Sequence, residues 1–237
     1  MKEILEALVK IFPGYLRDLV ALIAAPKAFI GNHSAVNDET IKNSLLFAAV
    51  SSTLGYLLTP KLLLPAGELL SNLGQRLVFS VTLLVLGAAA IFAAWCILGQ
   101  RAPFLKFLIT YIYYISPVVL ILALFDAVGF GILYAYDPRG AESLVELSRS
   151  ILFNPFGLPE SEESLALSTG APFIAMNVVM FLGAAMGWLW TILAWGAFRN
   201  MLGATRRQSF FAFLLAFMLL TLVGIAGMFI EKGLGLV

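Results

Sequence analysis

Few side chains in this chain of 237 residues are equipped for chemistry, and their spacing limits what they can do. Lys106 and Asp126 frame one long apolar stretch and stand twenty positions apart. On a helix rising about 1.5 Å per residue that separation is about 30 Å, the thickness of the hydrocarbon core of a bilayer. Each charge therefore falls at an opposite membrane face, and no pair of carboxylates shares one depth. Burying a charge in hydrocarbon is costly, so ionisable groups inside spans usually mark transport or catalysis. Here the spans are nearly empty of them. Asn177 is the clearest polar group within an apolar run, and its amide suits a hydrogen bond to a neighbouring helix.

His33 and Cys96 are each the sole residue of their type. Together they supply neither an intrachain disulfide nor the three or four protein ligands of a zinc site. The chain also lacks Gly-x-Ser-x-Gly, His-Glu-x-x-His and a P-loop. The expectation is a protein that is not an enzyme, with no catalytic residue, no metal and no cofactor. A net charge of +1 gives no electrostatic basis for binding nucleic acid.

The elements that position these residues follow from composition. Hydrophobic residues make up 61% of the chain and charged residues 12%, half the usual charged share of a soluble domain. The mean hydropathy is +0.95. So little polar surface cannot cover a globule in water, and the lipid bilayer is the partner that removes the need. The fold class is therefore all-α, a polytopic integral membrane protein with five transmembrane helices preceded by interfacial amphipathic helices. Residues 1–43 form the N-terminal segment and residues 44–237 the membrane domain. Its apolar runs predict spans at 44–64, 77–98, 104–125, 173–198 and 210–230.

Within residues 1–25, apolar side chains such as Leu8, Phe12, Tyr15, Leu19 and Leu22 recur at helical spacing, with charges between them. Pro13 sits easily only in the first turn of a helix, so two short helices are predicted, 2–12 and 13–25, ended by Pro26. Such helices lie in the membrane interface and do not cross it. The acidic residues Glu3, Glu6 and Asp18 argue against a cleaved signal peptide. Residues 31–43 read as a polar connector in which Asn37 or Asp38 caps the first span. The long loop, 126–172, carries most of the remaining acidic residues and a short amphipathic helix near 144–152.

Lysine and arginine set the orientation. Ten lie on the side of the N-terminus and five on the other. The positive-inside rule then places the N-terminus in the cytoplasm and the C-terminus outside, in the inner membrane of a cell. Trp95 and Trp195 close the second and fourth spans at the cytoplasmic interface, where an indole prefers to sit.

The spans carry packing signals. Gly183 and Gly187 form a Gly-x-x-x-Gly pair, which lets helices approach closely within one chain or between chains, so a homo-oligomer and association with other membrane proteins both stay open. Pro117 removes a backbone hydrogen bond near the middle of the third span, and Ser116 is placed to satisfy a freed carbonyl. Tyr111, Tyr114 and Ser116 give that span its polar face.

Three short elements resemble the Yip family of five-span membrane proteins (Ypt-interacting proteins and their bacterial relatives). Ala25-Pro26-Lys27-Ala28-Phe29 resembles the family's P-x-x-F element before the first span. Gly99-Gln100-Arg101-Ala102-Pro103-Phe104-Leu105-Lys106 resembles the loop leading into the third. Tyr114-Ile115-Ser116-Pro117 resembles its Tyr-x-x-Pro. The resemblance implies five spans, a cytoplasmic N-terminus and an external C-terminus. The long acidic arm and the Asp-Leu-Tyr-Gly-Pro motif of eukaryotic members are missing, so binding of small GTPases is not implied. The expected function is that of a non-enzymatic scaffold or adaptor acting through helix packing and lipid contact. The alternative is a permease or small-solute channel lined by the third span.

Overall fold

The computed structural model describes residues 2–58, 69–144 and 170–233. Among these, every regular element is helical: α1 (Lys2–Ala24), α2 (Pro26–Asn32), α3 (Asp38–Leu58), α4 (Leu69–Ile97), α5 (Phe104–Tyr136), α6 (Ala171–Leu202) and α7 (Arg206–Gly233). A further helical turn covers 138–144. Five helices, α3 to α7, are long and apolar enough to cross a membrane.

Local chemistry explains where the helices start and stop. Asn37 Oδ1 accepts the Thr40 N–H at 2.8 Å and caps α3, which decides between the two candidates, Asn37 and Asp38. Pro26 occupies the first turn of α2, where its missing N–H costs nothing. Gly203, with φ of +62°, ends α6 in the left-handed conformation that glycine adopts without strain. Thr205 and Gln208 form a reciprocal capping box that starts α7: the Thr205 N–H donates to Gln208 Oε1 at 3.0 Å, and the Gln208 N–H donates to Thr205 Oγ1 at 3.3 Å. These stops leave connectors of only a few residues between α4 and α5 and between α6 and α7.

The spans run in alternating directions. Phe125, in the second half of α5, lies against Gly183, in the first half of α6, and Leu83, at the midpoint of α4, lies against Gly227, late in α7. The connectors 98–103 and 203–205 thus share one end of the bundle, called here the near end, with α2. Central α5 packs on α3, α4 and α6, while α7 packs mainly on α4.

Several boundaries differ from the apolar runs. The third span does not stop at Phe125. Helix α5 continues through Asp126, Gly129 and Gly131 to Tyr136, 33 residues in all. Such a helix is about 50 Å long, well beyond a hydrocarbon core of about 30 Å. Asp126 therefore does not mark the helix end. That role belongs to Asp137, whose Oδ1 accepts the Gly140 N–H at 3.0 Å and starts the next helical turn. Helices α6 and α7 likewise begin before residues 173 and 210, because hydropathy marks the oily zone whereas capping groups end the helix. Pro13 does not divide the N-terminal segment, since α1 runs through it to Ala24, and α2 replaces the start of the expected connector. The end of the first span beyond Leu58 and the amphipathic helix near 144–152 lie outside the described residues, apart from 144 itself.

Helix α1 has three faces. Tyr15 and Leu22 are buried against the bundle. The Tyr15 hydroxyl shares a 2.9 Å hydrogen bond with Ser51 Oγ in α3. Burial raises the pKa of that phenol, the bond to Ser51 lowers it in part, and the group stays neutral near pH 7. Arg17 and Asp18 pair at the surface. Phe12, Leu16, Val20 and Ile23 form an exposed apolar stripe at helical spacing.

Candidate functional site

The near end is filled by aromatic side chains from four spans. Trp95 of α4 and Trp195 of α6 stack with ring centroids 5.9 Å apart and planes 16° apart. Phe213 of α7 meets Trp195 edge-on at 5.2 Å. Tyr114 of α5 lies edge-on to Phe198 at 5.4 Å, and Phe198 also stacks on Phe107. Trp195 Nε1 donates to the Ser209 carbonyl at 3.0 Å and to its hydroxyl at 3.1 Å, tying α6 to the first turn of α7. Trp95 Nε1 is buried with no hydrogen-bond partner among the described residues. Both indoles sit near the ends of α4 and α6 and are buried in the bundle. They point inward, because four helices converge here and ring-on-ring contact fills the gap between them.

The N-terminal helices extend this layer. Phe29 of α2 and Phe47 of α3 both contact Tyr113, at 5.4 and 5.2 Å. His33 Nδ1 lies 2.8 Å from the Phe29 carbonyl and its ring stacks on Phe29 at 4.0 Å. The single histidine is structural. Cys96 is half-buried beside Trp95.

Beyond the layer, toward the other end, α3, α4, α5 and α7 part around a cavity of about 630 Å³. Ser51, Ser52 and Tyr56 line it from α3, and Ser80 from α4. Helix α5 presents Tyr111, Ile115, Val119, Leu122 and Asp126 at three- and four-residue steps, one continuous face, with Ser116 beside it. Leu83, Leu84 and Leu220 complete the apolar walls. The Ser51 and Ser116 hydroxyls already have partners, Tyr15 and the Ile112 carbonyl. A second, smaller groove of about 300 Å³ lies between α5, α6 and α7, and its lining is almost wholly apolar.

The residues singled out from sequence fall in separate places. Asp126 is half-buried on the cavity wall, with no ion pair or hydrogen bond among the described residues. Lys106 is half-buried in the first turn of α5 at the near end, far from Asp126 along the same helix. Tyr114 faces the smaller groove and not the cavity. Pro117 is buried in an unbroken α5. Ser116 Oγ donates to the Ile112 carbonyl at 2.7 Å and not to the carbonyl of residue 113 that Pro117 releases. The bond that secures this region comes from α6, where Trp190 Nε1 donates to the Tyr114 carbonyl at 2.8 Å.

Asn177 does not bridge helices. It is exposed, and its Nδ2 donates to the Phe173 carbonyl one turn earlier at 2.8 Å. Gly183 and Gly187 pack within the chain. A Cβ on Gly183 would lie 2.5 Å from the Phe125 Cβ, and one on Gly187 would rest 3.6 Å from Val118. Gly87 sits under the Tyr111 ring, where a Cβ would collide with it. The serines of α3 were the signal that sequence reading passed over: Ser51-Ser52-Thr53 interrupts an otherwise apolar run. Among the described residues no group of three or more His, Cys, Asp or Glu side chains is placed to hold a metal ion.

Fold and cavity together define a class: an all-helical, multi-pass membrane protein with five candidate spans. Set against known proteins, the chain matches no family model, no curated protein and no solved structure.

Proposed function

We propose that the chain is a non-enzymatic scaffold or adaptor of Yip-like type, seated in the inner membrane with its N-terminus in the cytoplasm and its C-terminus outside, and acting through helix packing and lipid contact. The observation that carries this reading is the division of α1 into a protein-facing, a water-facing and an apolar exposed face. A helix docked on the spans by Tyr15 and Leu22 still offers Phe12, Leu16, Val20 and Ile23 to lipid at the interface. The aromatic layer supports the same reading, since packed rings from four spans occupy the end through which a solute path would have to leave. The close contact of Gly183 with α5 leaves other exposed surfaces for a second copy or another membrane protein.

The permease reading is kept for one observation: Tyr111, Ser116 and Asp126 line the same cavity. On that reading Pro117 is a hinge and the aromatic layer a gate.

Lipid contact by α1 is tested with a fluorophore on a single cysteine at Val20 or at Arg17, with Cys96 replaced by alanine, in the full chain in nanodiscs. Brominated acyl chains should quench the Val20 probe strongly and the Arg17 probe weakly, and aqueous iodide should show the opposite preference. Equal iodide quenching at both positions would remove the lipid-facing role of α1.

A further inference from the structure

From the cavity between α3, α4, α5 and α7 we infer a binding site for an elongated amphipathic amine, with Asp126 as counter-ion to a single ammonium group. Three features lead there. The first is charge: Asp126 is the sole ionisable carboxylate among the cavity's described lining residues, no Lys, Arg or His stands with it, and its oxygens have no partner among the described residues. A half-buried carboxylate between leucine walls is poorly solvated, and a cation is the ligand that its field selects.

The second feature is shape. The cavity follows α5 from Tyr111 to Asp126, fifteen positions or about 22 Å of helix. An alkyl chain suits that length, and the volume of about 630 Å³ falls within the range of small-molecule sites.

The third is the gradient of polarity along the cavity. Below Asp126 the walls are Leu122, Val119, Ile115, Leu83 and Leu84. The deep hydroxyls of Ser51 and Ser116 are engaged by the protein and need nothing from an apolar tail, while the hydroxyls of Ser52, Ser80 and Tyr111 make the same walls polar in part. A head that is positive and a tail that is apolar match the two ends. An anionic head would bring a negative group to Asp126 with no described cation to offset it, and the quaternary ammonium of a choline head has no N–H to donate to the carboxylate. The site stands whether the chain is a scaffold or a permease, since binding requires no passage.

The test is equilibrium binding of radiolabelled dodecylamine, protonated at neutral pH, to the full chain in phosphatidylcholine nanodiscs, with empty discs as background. Saturable binding is expected. Dodecanol, equal in length and uncharged, should compete at least about tenfold more weakly, the effect of a charge pair worth about 1.4 kcal/mol. Asp126→Asn should weaken binding by about the same factor, and Asp126→Glu should largely restore it. Ser80→Trp, which fills the cavity from α4 and leaves Asp126 in place, should abolish binding.

Discs containing phosphatidylethanolamine identify the source of the amine. Depressed dodecylamine binding there assigns the site to an ethanolamine headgroup, and unchanged binding assigns it to a free amine; both outcomes uphold the site. Equal competition by dodecanol, or undiminished binding in a folded Asp126→Asn or Ser80→Trp chain, would overturn it. The dodecanol comparison uses the unmodified chain and decides the matter even where a variant fails to fold.

Discussion

Gly183→Ala is expected to destabilise the bundle by about 2–3 kcal/mol, whereas Gly187→Ala should stay within about 1 kcal/mol of the parent. The two glycines are one turn apart on the same helix and look equivalent in sequence. The difference lies in what each one meets on α5. A Cβ at Gly183 would stand 2.5 Å from the Phe125 Cβ, an atom fixed to the backbone that cannot rotate away. Helix α6 would have to move off α5 along the most extensive contact among the described helices. In lipid that movement forfeits dispersion contacts directly, because no hydrophobic effect returns the helices to each other. A Cβ at Gly187 rests 3.6 Å from the Val118 Cγ1 and 3.8 Å from the Leu122 Cδ2, ordinary packing distances. Reversible unfolding in mixed micelles, followed by far-ultraviolet circular dichroism, reads the difference. Equal effects at both positions would mean that α5 and α6 do not meet as described.

The two stacked tryptophans give a second contrast. Trp195→Phe should cost about 2 kcal/mol, from a cavity where the pyrrole ring was and from the lost tie to α7. The hydrogen bond alone accounts for the smaller part, since interhelical hydrogen bonds in membranes average about 0.6 kcal/mol. Trp95→Phe leaves a similar cavity but also removes a buried N–H with no acceptor among the described residues, a group whose burial costs about 1–3 kcal/mol. The two effects oppose each other, and the net change should lie within about 1 kcal/mol. The same unfolding titration separates them. A greater loss from Trp95→Phe than from Trp195→Phe would show that the bonds to Ser209 do not hold α6 on α7.

The spans were legible because lipid demands long apolar runs and little else produces them. Asn37 as the cap of α3 was legible for a local reason: a side chain three residues from its donor has one sterically simple partner. What pointed inward was not legible. In a soluble helix the oily stripe identifies the core face, but a span is apolar all round, so nothing in the periodicity says that Trp95 faces other rings or that Asn177 faces out. The same reason hid the cavity. Ser51, Ser80, Tyr111 and Asp126 come from three separate spans, and only the crossing of those helices makes one wall of them. Helix ends were misplaced wherever a capping group lay outside the apolar run, as at Thr205 before α7 and Asp137 after α5. Pro13 misled for the opposite reason, since a helix held along one side by Tyr15 and Leu22 tolerates the single backbone bond that a proline removes.

Scaffold and solute path differ in one respect that a chemical probe can reach, namely whether the cavity is closed at the near end. With Cys96 replaced by alanine, single cysteines at Ser116 and at Tyr114 can be exposed to a small membrane-impermeant thiol reagent from one side of the membrane at a time. Ser116 lines the cavity, while Tyr114 lies in the layer of rings beneath it. With the near end in the cytoplasm, as proposed, and the rings sealing the bundle, Ser116→Cys reacts only with reagent supplied from outside, and Tyr114→Cys reacts from neither side. Reaction of either cysteine with reagent supplied from the cytoplasm would show that the aromatic layer opens, and would make the chain a conduit and not a scaffold.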